Sequence, residues 1–67
     1  MTNVIFSLQH EQGRNLWHGY LRWYHGQKIT TLYQATNQNR DKVKRDCIGA
    51  SIRKSLEIIA TEVDETP

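Results

Sequence analysis

The run Leu16-Trp17-His18-Gly19-Tyr20-Leu21-Arg22-Trp23-Tyr24 puts large or functional side chains on both sides of any strand it forms. Successive strand side chains point to opposite faces of a sheet. One face then carries Trp17, Gly19, Leu21 and Trp23. The other carries Leu16, His18, Tyr20, Arg22 and Tyr24. A chain of 67 residues builds one domain around one small core. Its sheet can bury one of these faces against a helix and must leave the other open. The open face then holds aromatic rings and an arginine, the chemistry of a binding surface.

Two more strands flank this one. Asn3 to Gln9 alternates through Val4, Phe6 and Leu8, and Ile29 to Thr36 is rich in β-branched residues and tyrosine. Glu11-Gln12-Gly13-Arg14 is a turn signal, since Gly13 tolerates positive φ. In His25-Gly26-Gln27-Lys28 the glycine stands at the first central position, as a type II′ turn prefers. Two-residue loops would pair Leu8 with Trp17, Phe6 with Gly19, Val4 with Leu21, Trp23 with Thr30 and Leu21 with Leu32. Both hairpins then put Val4, Phe6, Leu8, Trp17, Leu21, Trp23 and Leu32 on one core face. Gly19 opposite Phe6 leaves room for the ring or for a helix to come close. The opposite face carries Ile5, Ser7, Leu16, His18, Tyr20, Arg22, Tyr24, Ile29, Thr31 and Tyr33, with Arg22 beside Thr31 and Tyr20 beside Tyr33.

Asn37-Gln38-Asn39 supplies a cap, and a helix is expected from Arg40 to Val63. Its main apolar stripe is Ile48, Ile52, Leu56, Ile59 and Val63. A weaker strip of Val43, Cys47 and Ala50 lies on nearly the opposite side, open to use in a homodimer. Gly49 stands where the strips change over and costs about 1 kcal/mol in a helix interior, with a bend there as one outcome. The expected fold class is α+β: a three-stranded antiparallel β-meander packed on one long C-terminal helix. The domain spans residues 1–63, and residues 64–67 form a disordered acidic tail.

Several function classes lack their residues. Cys47 is the only cysteine, which excludes an intrachain disulfide and suits a reducing compartment. No apolar stretch is long enough to span a membrane, and the N-terminus lacks the pattern of a secretory signal. A cytoplasmic protein is expected. His10, His18 and His25 are spaced by eight and seven residues, which matches no compact zinc pattern. Cys47 has no orienting third group at a recognisable spacing, and the four glycines are scattered rather than gathered in a phosphate loop. No catalytic residue, metal or cofactor is expected.

Charge is more informative. Arg40, Lys42, Lys44, Arg45, Arg53 and Lys54 stand against Asp41 and Asp46, whereas Glu57, Glu62, Asp64 and Glu65 follow with no base. On the open sheet face, Arg22 can read a guanine edge and Thr31 or a tyrosine can hold phosphate. His18, Tyr20, Tyr24 and Tyr33 offer rings for unpaired bases. Arg14, Lys28, Arg40, Lys42 and Lys44 would supply phosphate contacts. The order strand–strand–strand–helix, with Tyr20 and Arg22 in the middle strand, resembles small DNA-binding domains that read the major groove with a three-stranded sheet. These are the arm-site domains of some phage and transposon integrases and the plant ethylene-response-type domains. The likeness spans Asn3 to Ile59 and is one of element order. It implies DNA as the partner. The expected function is therefore a small non-enzymatic module that binds DNA through its open sheet face. The alternative is a protein-interaction module that inhibits or adapts a larger partner, acting singly or as a homodimer.

Overall fold

A computed structural model describes residues 2–64. Strands β1 (Thr2–Glu11), β2 (Leu16–His25) and β3 (Lys28–Asn37) come first, then helix α1 (Arg40–Arg53), then a fourth strand, β4 (Leu56–Asp64). The sheet order is β3-β2-β1-β4. β2 is antiparallel to both β1 and β3, and β4 is parallel to β1. The sheet is thus mixed and four-stranded. The helix lies between β3 and β4, which corrects the expected three antiparallel strands with a terminal helix.

Two physical facts account for the correction. Ile58, Ile59, Thr61 and Val63 are β-branched and fit a pleated edge better than a helix. A three-stranded sheet would also leave the outer N–H and C=O groups of β1 unpaired, and β4 covers that edge. The helix stops at Arg53: the Lys54 N–H donates to the Ala50 carbonyl (2.9 Å), the Ser55 N–H donates to the Ile52 carbonyl (3.2 Å), and Ser55 turns left-handed at φ 56°. At the other end Asn39 caps the helix, its Oδ1 accepting from the backbone N–H groups of Asp41 (2.9 Å) and Lys42 (3.4 Å).

The two helix strips exchange roles. Val43, Cys47, Ala50 and Ser51 are buried against the sheet, whereas Ile48 and Ile52 face outward, 40% and 74% exposed. The strip expected to serve a dimer is therefore the core, packed with Val4, Phe6, Leu8 and Leu21. Gly19 explains the choice. It lies directly under the helix, which approaches so closely that only small side chains fit between. No bend is needed at Gly49, which lies inside one continuous helix.

The core face follows the expected parity, but three local features differ. The first connection is longer: a 3-10 turn over Gln12–Arg14 precedes a left-handed Asn15 (φ 50°), so Asn15, not Gly13, takes the positive φ. Leu8 then pairs with Gly19, Phe6 with Leu21 and Ser7 with Tyr20. A shift of two residues keeps every side chain on its face. Second, β3 carries a bulge between the Leu21 and Arg22 positions, where Leu32 is the extra residue. Arg22 still pairs with Thr31 and Trp23 with Thr30. Beyond the bulge Leu21 meets Tyr33 and Tyr20 meets Gln34. Third, Trp23 is partly exposed and stacks on His25 at 3.9 Å between ring centroids instead of entering the core. The second turn is as expected, with Gly26 at φ 62° between His25 and Lys28. Of the expected acidic tail, Asp64 closes β4 and residues 65–67 lie outside the described residues. No described helix is long and apolar enough to cross a membrane.

Candidate binding surfaces

The face away from α1 is organised by β2. His18, Tyr20 and Arg22 alternate onto it and stack along the strand. The His18 and Tyr20 rings lie 6.5 Å apart, and the Arg22 guanidinium sits 4.6 Å from the Tyr20 centroid. Thr31 stands beside Arg22, and Tyr24 beside Ile29, both of the latter exposed. Five of the expected contact residues, His18, Tyr20, Arg22, Tyr24 and Thr31, therefore share one surface.

His18 is held from two other strands. One ring nitrogen, Nε2, lies 2.8 Å from Oε1 of Glu11, and Nδ1 lies 2.9 Å from Oγ1 of Thr36. A carboxylate can only accept, so Nε2–H donates to Glu11 and, in the neutral ring, Nδ1 accepts the threonine hydroxyl proton. Arg14 lies 3.5 Å from the other oxygen of Glu11. Carboxylate, imidazole and hydroxyl are the groups of a nucleophilic relay. No pocket indents the surface among the described residues. The arrangement ties β1, β2 and β3 together across the open face. Glu11 and Thr36 were not among the residues expected here, because a two-residue first turn sets His18 opposite Ser7. The longer turn sets it opposite Gln9.

The remaining expected contacts lie elsewhere. The β3 bulge moves Tyr33 to the helix side, where it packs against the core. Arg14 is in the 3-10 turn, and Lys28 pairs with His25 at the far hairpin. Arg40, Lys42 and Lys44 are on α1, beyond the sheet from Arg22, with Arg40 5.3 Å from the Trp17 ring centroid. Charge is consequently segregated. The exposed side of α1 and its cap carry Arg40, Lys42, Lys44, Arg45, Arg53 and Lys54, against Asp41 and Asp46. The register puts Glu11, Glu57, Glu62 and Asp64 on the open sheet face, with Arg22. Lys42, Arg45, Gly49 and Arg53, spaced by three, four and four, form one strip along the outside of the helix.

Cys47 is fully buried between helix and sheet. Burial, with Asp46 adjacent, pushes its thiol up to about 11, so it is protonated and a poor nucleophile. Among the described residues no group of three or more histidine, cysteine or carboxylate side chains is placed to hold a metal ion. No protein-family model matches the chain, and no match was found among curated proteins or solved structures.

Proposed function

We propose that this chain is a non-enzymatic module that binds duplex DNA through the outer face of α1. The observation that carries the reading is the segregation of charge. Six bases of residues 40–54 stand against Asp41 and Asp46 on the solvent side of the helix, and the carboxylates of β1 and β4 stand on the opposite side of the molecule. A duplex attracted to the helix is thus not repelled by Glu57, Glu62 or Asp64. Lys42, Arg45 and Arg53 can engage successive phosphates along one strip. Gly49, in the middle of it, lets the DNA backbone come close to the helix.

Phosphate binding releases counterions, and each contact adds about −0.9 to the slope of log affinity against log salt. Fluorescence anisotropy with a labelled generic duplex is expected to show steep salt dependence. Lys42→Gln, Arg45→Gln and Arg53→Gln should each flatten the slope by about one contact. Arg22→Ala, on the open face, should leave it unchanged. Affinity that ignores salt, or survives all three helix substitutions, would overturn the reading and favour a protein partner, whose apolar contacts respond little to salt.

A further inference from the structure

We infer that the open face of the sheet is covered by a second copy of this chain in a two-fold dimer. The surface is distinct from the helix face proposed for DNA, so either can fail alone.

The face has the composition of an interface. Ile5, Leu16, Tyr20 and Arg22 are half-buried there, and Tyr24, Ile29 and Ala60 are exposed, with no helix above them. Tyrosine and arginine are the residues that anchor protein contacts.

What selects a second copy is the lateral arrangement of charge. Arg22 stands on β2, and no carboxylate among the described residues pairs with it. Glu57 and Glu62 stand on β4, and no base among the described residues pairs with them. A face with a cation in one half and anions in the other is complementary to itself. A two-fold axis lying between two packed sheets, along the strands, sets the β2–β3 half of one copy over the β1–β4 half of its partner. In such an isologous contact every pair occurs twice. The rows fit. Arg22, Ile5 and Ala60 lie in one row across the sheet, and Tyr20, Ser7 and Glu62 in the next on the same face. These rows are about 7 Å apart, within the reach of an arginine. Stacking on Tyr20 uses the flat face of the guanidinium and leaves its edge N–H donors free for a carboxylate. Facing sheets pack about 10 Å apart, which suits rings and isoleucines meeting across the axis.

Sedimentation equilibrium of the full chain tests the proposal. The wild type is expected at twice the monomer mass. Arg22→Glu and Glu62→Arg should each raise the dissociation constant by about tenfold or more, and the double charge swap should restore it. Glu62 is exposed on an edge strand, so its variant stays informative if Arg22→Glu folds poorly. A wild-type monomer at millimolar concentration overturns the proposal. So does a dimer indifferent to both single changes, or a double swap that fails to recover association.

Discussion

A Cβ atom placed on Gly19 would lie 2.5 Å from Cγ1 of Val43 and 2.8 Å from Sγ of Cys47. Neither neighbour is the free end of a long side chain. Both are fully buried, so the helix itself must withdraw to admit the methyl group. Overpacking of this kind costs about 1–3 kcal/mol, a large share of the roughly 3–10 kcal/mol open to a domain of this size. Gly19→Ala should therefore lower the urea midpoint sharply, and Gly19→Val should not fold. A Gly19→Ala variant within about 0.5 kcal/mol of wild type would show that helix and sheet are not in this contact.

Cys47 gives a prediction in pH. Its thiol is raised from 9.0 to about 11 in the folded protein, so between those values the folded state holds a proton that the unfolded state has lost. The associated stability is complete below about pH 9 and is lost as pH rises toward 11. Wild type should lose stability over that window more steeply than Cys47→Ala, as read by denaturant midpoints. Near neutral pH the folded protein should resist iodoacetamide, whereas the urea-unfolded chain should react readily. Equal labelling rates in the two states would contradict the burial of this side chain.

The parity of the first two strands was legible because Val4, Phe6 and Leu8 alternate strictly opposite Leu21, and parity survives a two-residue error in turn length. The turn at Gly26 was legible for a similar local reason, the glycine's position between two extended runs. What the pattern hid was distance. Isoleucines at 48 and 52 outrank Val43, Cys47 and Ala50 in hydrophobicity, yet the helix approaches Gly19 too closely for them, and size decided the buried strip. The bulge at Leu32 has no sequence marker, and it alone sends Tyr33 to the core and leaves Gln34 beside Tyr20. The split of the contact residues has a second cause, the helix packed on the core face. Bases near in sequence to the strands end on the far side of the sheet once the helix folds over it.

Gly49 is the one helix residue whose replacement should help. It lies in a helix interior, and an added Cβ would meet only Nη1 of Arg53, at 3.2 Å, the free end of a flexible side chain. Alanine removes a helix penalty of about 1 kcal/mol and asks only that the guanidinium shift. Gly49→Ala should raise the thermal midpoint by several degrees, since about 1 kcal/mol corresponds to about 4–8 °C in a domain of this size. If the glycine admits a DNA backbone, the same variant should bind duplex more weakly while being more stable. A gain in both properties would remove Gly49 from the contact surface.

Ser55 distinguishes a helix that ends from one that continues. At φ 56° it holds a left-handed conformation that costs a non-glycine residue about 1 kcal/mol or more, and no described contact requires its side chain. Glycine adopts that conformation freely, and its greater freedom in the unfolded chain takes back part of the gain. Ser55→Gly should therefore stabilise the protein by a few tenths to about 1 kcal/mol. Were the chain helical from Arg40 through Val63, the same substitution would fall in a helix interior and destabilise by about 0.5 kcal/mol. The sign of the change in urea midpoint decides between the two. A loss of stability would mean that Leu56–Asp64 does not leave the helix to pair with β1.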